Sequence, residues 1–209
     1  NLDRIVENRL SDTLPVAFAG ADAIKNGETG RMKVNPSALS PLATASIIIS
    51  MGLVSIGNGM MFSYIPISLS AAGFDPAWAG SILSLMSLGS LAGCMFTNPI
   101  VRSVGHARAY LVFTAIIILS NAVIALGINP AVWVLGRFGY GFGIVGLFII
   151  AQSWLNDLVE NSVRGRVMAI FYITYIMALG TGSLSLSQLD VAGNLPPVAA
   201  IILAAISLF

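Results

Sequence analysis

The chain has 209 residues, of which 56% are hydrophobic and only 9% charged, with a mean hydropathy of +0.89. Soluble domains carry about 25% charged residues, so this composition places the chain among membrane proteins. A formal net charge of +1 gives no electrostatic basis for binding nucleic acid, and no nucleic-acid partner is expected.

Residues 1–40 hold Arg4, Arg9, Lys25, Arg31 and Lys33 against Asp3, Glu7, Asp12, Asp22 and Glu28, so the segment is polar and neutral and stays in water. Leu2, Ile5, Val6, Leu10 and Leu14 recur at near-helical spacing and predict a short amphipathic helix, followed by a tether marked by Gly27, Gly30 and Pro36. A tail or linker is expected there, with a functional module as the alternative. No apolar stretch of signal-peptide length occurs in this segment.

Residues 41–209 read as a transmembrane bundle of six helices: 43–66, 77–98, 109–127, 131–154, 167–189, and a sixth from 197 that is too short to span and is expected to be truncated. A helix crossing the bilayer needs ~20 apolar residues, and helices are the open-chain solution because lipid cannot satisfy exposed backbone groups. Gly73-Phe74-Asp75-Pro76, Gly127-Ile128-Asn129-Pro130 and Gly193-Asn194-Leu195-Pro196-Pro197 punctuate alternate breaks. The fold class is therefore an all-α polytopic membrane helix bundle.

The basic residues orient it. The tail, the second-to-third loop (Arg102, Arg108) and the fourth-to-fifth loop (Arg164, Arg166) hold nine of the ten, whereas the remaining loops carry only Asp75 and Asp190. The positive-inside rule then puts the N-terminus and these two loops in the cytoplasm. The lone cysteine, Cys94, lies in an apolar run and reads as a small buried thiol.

The fourth span contains GRFGYGFGIVG, with a GxGxxG at Gly141, Gly143 and Gly146. A dinucleotide fingerprint needs a preceding strand and a helix N-terminus to meet the pyrophosphate. Here the glycines lie inside an apolar helix, which excludes that use. On a helical wheel Gly139, Gly143 and Gly146 share one face and Arg137 lies nearly opposite, above Gly141 and Ile144. Small residues at such spacing let helices approach closely, so Gly139, Gly143 and Gly146, the Gly89/Gly93 pair of the second span, and Ser55 with Gly59 of the first are expected packing seams, or faces that slide.

Arg137 is the only charged residue inside a predicted span. Burying arginine in a bilayer costs at least about 2.5 kcal/mol, so the residue faces a watery cavity, ties helix ends together by hydrogen bonds, or snorkels. Facing a cavity, it would attract an anionic group of a small-molecule substrate. Asn58, Asn121, Gln152, Tyr172, Thr174 and Tyr175 are the uncharged polar residues at depth; each serves a substrate or glues helices together. Asn58 is the preferred cavity candidate beside Arg137, between Gly57 and Gly59, with Gln152 and Tyr175 following. His106, the single histidine, has no second ligand near it in sequence, so neither a metal site nor a Ser-His-Asp arrangement is expected, no cofactor is implied, and the residues argue against an enzyme.

The span count, the basic loops and the pattern Arg137-x-x-x-Gly141-x-Gly143 together resemble the N-terminal half of a major facilitator superfamily transporter, over residues 42–209. Against the family's loop motif G-x-x-x-D-R/K-x-G-x-R/K-R/K, the stretch NPIVRSVGHAR puts Asn98 at the first glycine, Arg102 at the acid, Ser103 at the first basic position, Gly105 at the second glycine and Arg108 at a basic one. SWLNDLVENSVRGRVMA is similar to the stretch that opens the family's fifth helix, with Glu160, Arg164 and Arg166 implied as a charge cluster at the inner membrane face. Gly180-Thr181-Gly182 stands where antiporters of the family carry G-P-x-x-G-G.

The resemblance implies a twelve-helix fold of two six-helix halves, each built from inverted three-helix repeats, with substrate bound between the halves. It implies a missing C-terminal half as partner, a bacterial inner membrane as location, and Arg102, Gly105, Arg108, Glu160, Arg164 and Arg166 as the cytoplasmic gate. The hydropathy of the first three spans is compatible with that of the last three, but no residue-level identity stands out between them. Two functions follow: a secondary transporter working by alternating access, or a non-transporting scaffold that anchors another domain.

Overall fold

A computed structural model describes residues 36–188 and 193–208, all of them helical or in short connections. The helices are α1 (Pro36–Ala71), α2 (Ala77–Val104), α3 (His106–Ala125), α4 (Pro130–Leu158), α5 (Arg164–Ser185, continued by a 3₁₀ turn Leu186–Gln188) and α6 (Leu195–Ile206). Five are long and apolar enough to cross a membrane, and α6, with 12 residues, is shorter. The predicted amphipathic tail helix and Asp190 lie outside the described residues.

The punctuation works as the sequence predicts. Gly73 (φ +76°) turns the chain between α1 and α2, and Asp75 Oδ1 accepts from the Ala77 amide at 2.8 Å. Asn129 caps α4 by accepting from Val132 N at 3.3 Å, with Pro130 supplying a pre-set φ at the first helical position. Other boundaries differ from expectation. α1 runs through Pro66 to Ala71, because neighbouring helices in a bundle hold a proline-interrupted helix together. The second-to-third loop is reduced to one residue, Gly105, whose φ of +84° reverses the chain. Arg102 therefore sits in the last turn of α2 and Arg108 in the first turn of α3. Cys94, expected to be buried, is exposed on the outward side of α2.

α4 lies at the centre because it has no side chains where its neighbours cross. A Cβ on Gly136, Gly139, Gly143 or Gly146 would meet Ser120, Ile117 or Phe113 of α3. One on Gly141 would overlap the Met86 carbonyl of α2, while Gly89 and Gly93 of α2 face the Phe138 and Phe142 carbonyls in return. Backbone meets backbone on two sides of one helix.

The α1–α5 crossing repeats this geometry. Gly59 faces Leu179 and Ser183 just as Gly141 faces Met86 and Ser90, and Gly182 faces the Ile56 carbonyl just as Gly89 faces that of Phe138. Ser183 Oγ donates to the Gly59 carbonyl at 3.0 Å, and Ser90 Oγ to the Gly141 carbonyl at 3.3 Å. The α1–α2 pair thus corresponds to the α4–α5 pair, where the sequence alone showed no residue-level identity between the two sets of three helices. The identity is short: Gly57-Asn58-Gly59 matches Gly139-Tyr140-Gly141, and Gly89-Ser90-Leu91 matches Gly182-Ser183-Leu184.

Two apolar cores fill the bundle. One, around Met51, Phe113, Leu147 and Phe171, lies toward the end carrying His106; the other, around Met61, Ile82, Ile124 and Trp133, lies toward the end carrying Gly127. Ser55, Asn58, Asn121 and Arg137 are buried where the two meet and form a polar layer at mid-depth. α2 and α5 are the least covered helices, with 17% of their apolar windows buried against 56% in α1 and α4, so the bundle's unpartnered faces are theirs. On the open face of α2, Ser81, Ser84 and Ser87 each donate to a carbonyl four residues back, at 2.9–3.0 Å.

Gly141→Val and Gly182→Val are each expected to destabilise the bundle by about 1–3 kcal/mol through overpacking, read as lower melting temperatures in detergent. Gly180→Ala, where a Cβ meets open space, is expected to leave melting unchanged or slightly raised.

Candidate functional site

Arg137 is 2% exposed. The glycines that let α4 press against α2 and α3 also enclose this side chain, which extends from α4 toward α2 and α1. Its Nη2 donates to Met86 Sδ at 3.4 Å, and its Cζ stands 4.3 Å from the centre of the Tyr140 ring. Nε and Nη1 are buried without any partner. A thioether is a weak acceptor, so a full guanidinium is held almost entirely by a π face. Among the described residues no carboxylate lies at this depth: Asp75 is in the α1–α2 turn, and Asp157 and Glu160 are at the far end of α4.

Arg137 lines a cleft of about 310 Å³ between α1 and α2, in the half of the bundle toward Gly127. Met61, Phe62, Ile65, Pro66, Ala79, Gly80, Ile82, Leu83 and Met86 form the rest of its wall, so Arg137 is its single charged group. A second cavity, about 410 Å³, lies between α1, α3 and α6 near Tyr110 and Trp154 and has no charged lining residue.

The other sequence candidates stand lower in the bundle than the cleft. Asn58 is 6% exposed, with its Oδ1 unpartnered, and does not line the cleft. It neighbours Tyr175 of α5, which in turn neighbours Tyr140, so that Arg137, Tyr140, Tyr175 and Asn58 form a polar string across α4, α5 and α1. Tyr175 also packs on Phe148, with centroids 5.0 Å apart, and Phe148 packs on Phe171 and Tyr172. Gln152 accepts from the Tyr172 hydroxyl at 3.0 Å, one turn below Phe148.

The internal repeat relates these two regions. Matching α1 to α4 and α2 to α5 takes Pro66 to Phe148, Ala79 to Tyr172 and Ile82 to Tyr175. Where the upper region is open, its counterpart toward the His106 end is filled by aromatic rings. Tyr140 and Met86, which hold Arg137, were not singled out from sequence. Tyr140 follows Arg137 by three residues on a helix, a spacing that brings side chains together, whereas Met86 is distant in the chain and carries no such signal.

At the His106 end the implied charge cluster does not form. The Glu160 carboxylate accepts only from Ser162, at 3.5 Å, and the Arg164 guanidinium donates to the Asn156 carbonyl at 3.3 Å. The α4–α5 connection holds these side chains in exposed positions, where water competes with pairing. His106, for which neither a second metal ligand nor a Ser-His-Asp arrangement is expected, meets Ser153 Oγ at 3.1 Å and Asp157 Oδ2 at 3.8 Å through the same Nε2 and stacks on Trp154, pinning the start of α3 to the end of α4. The His106–Asp157 contact is the one at salt-bridge distance among the described residues, and it is an ion pair only when the imidazole is protonated. No group of three or more histidine, cysteine or acidic side chains capable of holding a metal occurs among the described residues.

These features define an integral membrane helix bundle with a buried, unpaired cation beside an apolar cleft. No protein-family model matches the chain. It is similar to curated proteins described as "Uncharacterized MFS-type transporter YcaD" from Salmonella newport, Salmonella heidelberg and Salmonella typhi, with 27% identity over 159 residues in each case. The matched stretch covers 74% of this chain and 41% of each relative, so the chain spans less than half the length of these proteins.

A guanidinium that holds the bundle together would be missed when removed, whereas an unpaired buried charge is a net cost. Arg137→Met is therefore expected to leave the melting temperature in detergent unchanged or raised. A fall comparable to that of Gly141→Val would assign Arg137 to packing instead.

Proposed function

We propose that this chain is the N-terminal six-helix half of a secondary transporter, which moves a small solute by rocking against a second half. The carrying observation is the Arg137 guanidinium, buried with only the Met86 thioether as an acceptor, on a residue that lines an open cleft in a bundle that lacks an internal counter-ion among its described residues. Buried polar groups in folded proteins are otherwise almost always satisfied. The similarity to MFS-type transporters supports the same reading, and the poorly covered faces of α2 and α5 offer the surface on which a second half would dock.

Alternating access needs a binding level that opens first to one side and then to the other. An open cleft above the polar layer and a repeat-related region filled by Phe148, Tyr172 and Tyr175 below it fit one end state of such a cycle. In the opposite state the aromatic rings would part and the cleft would close over Arg137. Asn58, Tyr175 and Gln152 would then meet the solute on its way through. The corner at Arg102, Gly105 and Arg108 and the connection at Glu160, Arg164 and Arg166 would work at the cytoplasmic gate.

Transport is tested with the protein expressed from its full reading frame, reconstituted in proteoliposomes and compared with Arg137→Ala and Arg137→Lys. Loss of uptake by at least about tenfold is expected for Arg137→Ala, as for removal of a charged hydrogen-bond donor worth about 1.5–3 kcal/mol. Unchanged transport in both variants overturns the role of Arg137. Orientation is tested in a Cys94→Ser background with single cysteines. Asp75→Cys is expected to react with an impermeant maleimide in intact cells, and Ser103→Cys only after permeabilisation.

A further inference from the structure

The cleft beside Arg137 also restricts what it can hold, an inference that rests on the transport reading and adds a substrate class to it. Its single cation matches one negative charge. A phosphate dianion would bring a second charge into a low-dielectric wall that has nothing to neutralise it. A cationic solute would face like-charge repulsion from a guanidinium that has no carboxylate to offset it among the described residues.

The remaining wall is hydrocarbon and thioether: Met61, Phe62, Ile65, Ile82, Leu83 and Met86. A sugar or other polyhydroxylated solute would leave its hydration shell and find no partners for its hydroxyls there. An apolar body gains by the same burial, and the two methionines adapt to its shape. A volume of about 310 Å³ is at the small end of ligand sites.

We propose that this cleft binds a small amphipathic monocarboxylate, with its carboxylate on the guanidinium of Arg137 and its apolar body between α1 and α2. Planar guanidinium and carboxylate match as a two-point fork. Such a ligand would offer acceptors to Nε and Nη1, which the protein buries unpaired, once the side chain turns its fork toward the cleft. Gly80 lies at the edge of the cleft, and a Cβ there meets nothing within 4 Å, so a large flexible side chain at this position can fold over the entrance without touching a helix crossing.

The test is binding of radiolabelled benzoate to the protein expressed from its full reading frame in lipid nanodiscs, with benzamide and benzylammonium as competitors. Saturable benzoate binding is expected, with both competitors weaker by at least about tenfold, the loss that follows from giving up a charged hydrogen bond. Arg137→Gln is expected to abolish binding. Gly80→Leu is expected to abolish it too, with an unchanged melting temperature, which separates blockage from misfolding.

Equal affinity for benzamide, benzoate binding that survives both variants, or no saturable binding at millimolar benzoate overturns the proposal. The two readings fail separately. Benzoate binding of the expected kind in a protein that moves no solute in proteoliposomes leaves the site standing and removes transport. Transport that depends on Arg137, with benzamide bound as well as benzoate, removes the carboxylate assignment alone.

Discussion

In lipid a helix gains little by hiding apolar side chains from its surroundings, because the surroundings are equally apolar. What remains to hold six helices together is direct contact, and contact is closest where side chains are absent. The crossings of α4 with α2 and of α1 with α5 use this means, with glycine against a facing carbonyl on both members and a serine hydroxyl bridging the backbones. Ser55, Asn58 and Arg137 of the polar layer lie on helices that make these two crossings.

Arg137 runs against that economy. Its enclosure desolvates a permanent charge, and a π face and a thioether return only part of the lost hydration. A protein selected for stability alone would place a hydrophobic residue there. Its presence beside the cleft, with Nε and Nη1 unused, is what the proposed site for a partner from outside requires. The polar string through Tyr140 and Tyr175 to Asn58 links this cation to the α1–α5 crossing, so both halves of the repeat touch the same buried charge.

The architecture was legible in the sequence because its signals are local and repeated along the chain: apolar stretches of span length, Gly-Asx-Pro punctuation, and basic residues confined to alternate breaks. Arg137 was legible for a different reason, being the only charge inside a span. The repeat was missed although Gly-x-Gly occurs at Gly57 and at Gly139, since two glycines amid many carry little weight until their shared partners are known. Pairings that cross the chain, such as Arg137 with Met86 or His106 with Asp157, have no spacing in sequence to reveal them. The reduction of a loop to Gly105 alone escaped notice because hydropathy marks where a span ends, while a single positive φ decides how quickly the next one begins.

The serine row on the open face of α2 gives that face an unusual character. Ser81, Ser84 and Ser87 have already committed their protons to carbonyls of their own helix. A lipid tail lies against them with no bond that must be broken before it leaves, and a neighbouring helix meets them only as acceptors. Against apolar groups, adhesion there scales with area and carries no preferred register. The face is a bearing surface and not a clasp: a neighbour can shift along it by small steps, and each step costs only the dispersion contacts it exchanges.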